Sequence, residues 1–200
     1  MAARRDSYRE VMAMNLVHRM LCRSALWERA SATRIVPWAL SGLELGGDTL
    51  EICPGYGANV NALRTRSGTL TGVEIDAALA DRLRDRHGTA MTVITGDGAD
   101  MPLPDNSFDA VVCFTMLHHV PSAQRQDAVF AEALRVLRPG GVFAGSDGLD
   151  SRAFRLIHLG DTCVPVPPEA APQRLTQVGF TDVEIDTGAS SFRFRARKPA

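Results

Sequence analysis

Between residues 49 and 146, short apolar runs alternate with stretches of helical periodicity, and this restricts the fold more than any other feature. The apolar runs fall at 49–53, 69–74, 91–95, 110–115 and 141–146, with helical patterns at 58–66, 77–87 and 123–137 between them. The runs are continuously apolar, as expected of strands that helices cover on both faces of a parallel sheet. Residues 180–186 and 190–197 differ. There Phe192, Phe194 and Ala196 alternate with Arg193, Arg195 and Arg197, the two-residue period of a strand with one wet face. These two segments predict a final antiparallel hairpin whose arginines guard an edge. The expected architecture is α/β: a seven-stranded, mostly parallel sheet with a C-terminal antiparallel hairpin and an N-terminal helical extension.

The extension rests on helical spacing. Val11, Met14, Val17, Leu21 and Ala25 recur every three or four positions and predict a helix over 7–30. A second helix over 34–45 carries Pro37 in its first turn, and Gly46-Gly47-Asp48 then punctuates the chain. The division predicted is 1–46 as a helical extension or lid and 47–200 as the ligand-binding domain. Tyr8, His18, Arg19 and Trp27 are the side chains that a lid would offer a ligand. Residues 151–159 and 169–178 read as further helices, whereas Val164-Pro165-Val166-Pro167-Pro168 cannot be helical.

Three neighbouring turns carry the functional signal. Leu50-Glu51-Ile52-Cys53-Pro54-Gly55-Tyr56-Gly57 ends one expected strand and opens a helix, with glycines that permit a tight turn and close approach of a ligand. Glu74 ends the next expected strand, 23 positions after Glu51, where such sheets hold a ribose diol. A carboxylate suits a diol because it accepts two O–H bonds in parallel. Gly96-Asp97-Gly98 follows the third strand at the same rim.

With these residues the sequence resembles the class I S-adenosylmethionine (SAM)-dependent methyltransferase family, closely over about 48–147 and more loosely in the final hairpin. The segment from Glu51 to Gly57 resembles the family's acidic, glycine-rich loop. Gly72-Val73-Glu74-Ile75-Asp76 resembles its ribose segment. Gly96 to Asp109 resembles its adenine loop and fourth strand, and Leu134 to Gly141 resembles the turn before the fifth. The resemblance implies a Rossmann-like fold with SAM as cofactor. It implies that Glu51 orients the loop and holds the methionine ammonium, while Gly55 and Gly57 line the methionine portion. Glu74 would take the ribose hydroxyls, Ile75 would pack on adenine, and Asp97 would accept from the adenine amine beside the Gly98 N–H. Thr115 and Met116 would sit close to the sulfonium. One departure stands out: Cys53 occupies the place of the family's first glycine.

An NAD fingerprint is the nearest alternative, but it would need glycine at Val60, and no hydride-transfer acid stands out. A non-catalytic SAM-binding scaffold is a second alternative, since fold alone does not make an enzyme. Candidates for proton handling are His119 of the His118-His119 pair, Asp147 after the fifth strand, and His158 in Ile157-His158-Leu159-Gly160-Asp161. No metal is expected, because no third ligand stands at a recognisable spacing from the histidine pair. The four cysteines form no CxxC pair, and a net charge of −1 gives no general electrostatic case for nucleic acid or membrane. No apolar signal core or span of ~20 apolar residues is seen, so a cytoplasmic location is expected. The core carries little inserted sequence, which favours a small-molecule acceptor.

Overall fold

Continuously apolar strands need cover on both faces, and the computed structural model, which describes residues 14–200, supplies it. The strands are β1 (Asp48–Ile52), β2 (Thr69–Glu74), β3 (Thr92–Thr95), β4 (Phe108–Phe114), β5 (Leu137–Gly148), β6 (Thr181–Thr187) and β7 (Ser191–Arg197). They form one seven-stranded sheet in the order β3-β2-β1-β4-β5-β7-β6. β1 to β5 pair in parallel, whereas β7 runs antiparallel between β5 and β6. The strand order reverses between β1 and β4. Loops at their carboxyl ends therefore diverge and leave a crevice, the usual ligand position in open α/β sheets.

The helices are α1 (Leu16–Cys22), α2 (Ala25–Ala30), α3 (Val36–Ala39), α4 (Val60–Arg64), α5 (Ala77–His87), α6 (Ala123–Val136), α7 (Arg152–Ile157) and α8 (Ala171–Val178). β4 shows how the layers divide. Val111 and Cys113 join one core with Ile52, Phe130, Phe143 and Phe180, while Ala110, Val112 and Phe114 join a second with Val36, Leu63 and Leu83. That alternation is the pleat of a strand buried on both faces. Phe143 anchors the first layer, its ring within 6 Å of the rings of Phe130, Phe180 and Phe194.

The antiparallel hairpin forms with Phe192, Phe194 and Ala196 buried, but its arginines do not guard an edge: β7 lies inside the sheet between β5 and β6, and Arg193 and Arg195 are half-buried, donating to the Trp38 and Ser41 carbonyls. The N-terminal segment differs from the single helix expected. Residues 7–13 of that helix, with Tyr8, lie outside the described residues. The remainder breaks at Ser24, whose side chain accepts from the Trp27 N–H at 3.1 Å and so starts a new helix. A π-helical turn (Ser31–Ile35) follows and runs into α3, where Val36, Ala39 and Leu40 are wholly buried. α3 thus belongs to the core layer, while α1 and α2 contribute Arg19, Cys22, Arg23 and Trp27 to the wall of the crevice.

Candidate active site

The crevice is a cleft of about 490 Å³. Its floor is the turn after β1, where Cys53, Gly55 and Gly57 all take left-handed φ angles of 50°, 57° and 79°. Gly55 borders the cleft, and a Cβ built there would meet nothing within 4 Å among the described residues. Gly57 faces the other way. A Cβ on it would come within 2.8 Å of His87 Nε2 and 2.9 Å of Leu83 Cδ2, so its bare backbone lets the loop rest on α5.

Cys53 holds a left-handed conformation that glycine adopts freely. For a non-glycine residue this costs about 1–2 kcal/mol. Glycine would add about 0.5–1 kcal/mol of backbone entropy loss. The first effect wins narrowly, so Cys53→Gly is expected to be neutral or stabilising by up to about 1 kcal/mol, read as an unchanged or raised melting temperature. A fall of several degrees would show that the thiol contributes packing that outweighs its backbone. Thr115 carries the same kind of strain, with φ of 51° for a β-branched residue. Strain of this kind collects at functional positions, and both residues line the cleft.

The acidic residues converge on the turn. Glu74 Oε2 accepts from the Gly55 N–H at 2.9 Å, and Oε1 accepts from the Asp76 N–H at 3.0 Å. Each oxygen keeps a lone pair directed elsewhere. Burial raises the Glu74 carboxyl above its ordinary pKa, against the pull of these two N–H groups. Glu51 lies behind the turn. Its Oε1 accepts from Asn59 Nδ2 at 2.7 Å, while Oε2 is buried with no hydrogen-bond partner among the described residues. Burial pushes the Glu51 pKa up to about 7; the Asn59 hydrogen bond opposes this and the nearby Glu74 charge adds to it.

A small hollow adjoins the cleft. Cys53, Ile75 and Met116 line both, and the hollow adds Asp97, Gly98, Val120 and Val129. Asp97 Oδ1 accepts from the Ala99 N–H at 2.8 Å, and its Oδ2 is paired with the Arg125 guanidinium. The turns bearing Gly55, Glu74 and Asp97 thus share one rim. Thr115 and Met116 close the side formed by β4.

Beyond Met116 stands a cluster of four histidines. His118 Nδ1 meets Asp147 Oδ1 at 2.5 Å, the His118 N–H donates to Asp147 Oδ2 at 2.9 Å, and Gly148 N–H donates to Oδ1 at 2.7 Å. Asp147 is wholly buried and does not border the cleft. His118 Nε2 lies 3.0 Å from His158 Nε2, and His158 Nδ1 lies 2.7 Å from the Phe154 carbonyl. His119, by contrast, lines the cleft, with Nδ1 3.2 Å from the Thr162 carbonyl. His18 of α1 stacks on His119 at 5.1 Å between ring centres and is anchored by Asp161 at 2.8 Å. His119, Asp147 and His158 are therefore gathered in one network. The links are His118, buried beside its neighbour, and His18, 100 positions away in sequence. Asn59 and Arg125, which hold Glu51 and Asp97, carried no sequence signal of their own.

The profile of a family described as a methyltransferase domain matches residues 50–145. A fatty-acid O-methyltransferase of Mycolicibacterium smegmatis is 38% identical over 105 residues, covering 51% of this chain and 37% of that protein. A sterol 24-C-methyltransferase of Gibberella zeae is 35% identical over 134 residues, covering 60% and 32%. The chain thus spans about a third of the length of these two relatives. Among solved structures, a Thermotoga maritima SAM-dependent methyltransferase described as a possible histamine N-methyltransferase superposes with a TM-score of 0.70. It is 18% identical and covers 90% of this chain and 94% of its own. Sheet order and a cleft at the strand switch define a Rossmann-like ligand-binding domain. Residues 50–145 match the methyltransferase-domain family, and the chain is similar to SAM-dependent methyltransferases in sequence over this segment and in fold.

Proposed function

We propose that the chain binds SAM in the cleft and catalyses methyl transfer to a small-molecule acceptor. The observation that carries this reading is the shared rim, where Gly55 is hydrogen-bonded to Glu74 and the adjoining hollow is lined by Ile75 and Asp97. The site suits the cofactor on several counts. Glu51, behind the turn and outside the cleft lining, keeps a buried oxygen with no partner among the described residues, which an ammonium would satisfy, and Gly55 leaves open space in the cleft. Glu74 has lone pairs left for two ribose hydroxyls, and Asp97 has one for an adenine amine next to the apolar surfaces of Ile75 and Met116. A cleft of this size matches small-ligand sites. The sterol and fatty-acid methyltransferase relatives support a small acceptor.

Bound SAM supplies an activated methyl on a cationic sulfonium. The chain aligns the acceptor in line with the S–CH3 bond, and proximity and orientation of this kind contribute about 7–11 kcal/mol. Thr115 and Met116 border that position, with α1 and α2 limiting water. His119 is the member of the histidine network that reaches the cleft. Burial, reinforced by the neighbouring imidazoles, holds its pKa well below the usual histidine value. It is therefore neutral at pH 7 and can receive the acceptor's proton on Nε2, since Nδ1 faces a carbonyl. Asp147 and His158 position this ring through His118 and do not touch the acceptor.

Glu51 gives the reading a pH signature. Its folded pKa, about 7, lies above the unfolded carboxyl value, so the native state retains a proton that the unfolded chain loses. Its contribution to stability is therefore greatest below about pH 4.5 and declines as pH rises to about 7. The penalty above that is about 3 kcal/mol. Glu51→Gln is expected to flatten this part of the stability profile and to raise ligand-free stability at pH 8, while weakening SAM binding. Denaturant melts from pH 5 to 8 check it; parallel profiles for both proteins would remove Glu51 from the account. Calorimetry with SAM, together with a labelled-methyl assay across small phenols, acids and amines, tests the function as a whole. NAD binding without SAM binding would reverse it.

A further inference from the structure

We propose that His18, His119 and His158 form a binding site for one divalent transition-metal ion of the zinc class, set in the wall of the cleft. One nitrogen from each ring lies within 4.8 Å of the others. Three atoms so spaced lie within about 2.8 Å of a common centre, so shifts of under about 1 Å per ring bring them to the ~2.0–2.1 Å of a zinc–imidazole bond.

The surroundings of the rings carry the argument further. In each, Nδ1 is held by an outer acceptor: Asp161 Oδ2 for His18, the Thr162 carbonyl for His119 and the Phe154 carbonyl for His158. A carbonyl only accepts, so His119 and His158 carry their protons on Nδ1 and present lone pairs on Nε2. The Asp161–His18 pair matches the carboxylate–histidine arrangement that fixes tautomer and raises basicity in metal sites.

The link to His118 is consistent with this. His118 Nε2 faces the His158 Nε2 lone pair across 3.0 Å. A metal would take that lone pair, and metal binding at such a site releases protons. Three imidazoles leave a fourth tetrahedral position open, the pattern of catalytic rather than structural zinc. Of the three rings His119 lines the cleft, so a ligand would reach that position past His119. The ligand class is then an acceptor that presents an ionisable oxygen, a hydroxyl or carboxylate, whose anion the metal stabilises. With metal bound, His119 is a ligand and the metal replaces it in activating the acceptor. This use rests on the methyl-transfer reading above, whereas the existence of the site does not.

The test uses tag-free protein stripped with a chelator and titrated with Zn²⁺ by calorimetry and with Co²⁺ by visible absorption. One equivalent is expected, with tetrahedral or five-coordinate cobalt bands and no thiolate charge-transfer band. His18→Ala and His158→Ala should each weaken Zn²⁺ binding at least tenfold, and Asp161→Asn about 10–100-fold, with SAM affinity measured on the same samples. Sub-stoichiometric binding, affinities unmoved by the histidine changes, or a thiolate band from Cys22 or Cys163 would overturn the site. If the variants do not fold, the cobalt spectrum of the unaltered protein still decides. Metal binding absent from the unaltered protein while its SAM binding persists removes this site alone; SAM binding absent from the unaltered protein removes the cofactor reading instead.

Discussion

Glu74→Ala is expected to weaken SAM binding by about 5- to 150-fold, the ~1–3 kcal/mol of leaving buried polar partners unpaired. The effect has two sources. The ribose hydroxyls lose their acceptor, and the Gly55 and Asp76 N–H groups lose theirs, so the turn itself loosens. Glu74→Gln separates them. Its amide oxygen can still accept one N–H, while its NH2 meets the other as donor against donor, so its affinity should fall between the two. The ligand-free Ala variant need not be unstable, because it also removes a buried carboxylate whose pKa is raised by desolvation. Calorimetry with SAM and thermal melts without it distinguish lost binding from lost folding. Unchanged affinity would remove Glu74 from the ribose role.

Asp147→Ala is expected to have the largest effect on stability. The carboxylate is wholly buried and takes three contacts: the His118 ring, the His118 N–H and the Gly148 N–H. Removing one partner of a buried, hydrogen-bonded pair costs about 3–5 kcal/mol, a fall in melting temperature of about 6–20 °C at this chain length. SAM affinity should change little at temperatures where the variant is folded, because Asp147 does not border the cleft. Methyl transfer should fall more, since His118 no longer holds His158 in place beside His119. Asp147→Asn, which keeps an acceptor for one N–H, should recover part of the stability. A variant that melts normally would mean that the His118–Asp147 contact is dispensable for the fold.

The parallel sheet was readable in the chain because its signal is local. Apolar runs such as 110–114 are long enough to be strands, and Phe192, Phe194 and Ala196 announce a buried face of the hairpin through their spacing alone. The cofactor turns were readable for the same reason: each sits a few residues after a strand end, and a parallel sheet brings all such ends to one rim. The helix break at Ser24 was less visible, since the apolar stripe continues through it while the cap acts on the backbone. The histidine network could not be read from spacing. His18, His118, His119 and His158 come from α1, the turn after β4 and the end of α7, and only the folded chain makes them neighbours. Gly57 illustrates a subtler limit. It belongs to the glycine pattern, but the space it leaves is filled by His87 and Leu83, so the same residue type serves packing at one position and an open cleft at Gly55.

A crystal structure with S-adenosylhomocysteine bound tests the central claim most directly. The account predicts ribose hydroxyls on Glu74, the adenine edge on Asp97 with its faces against Ile75 and Met116, and the amino-acid end over Gly55 toward Glu51. A ligand seated elsewhere, or in this cleft with its ribose away from Glu74, would contradict it.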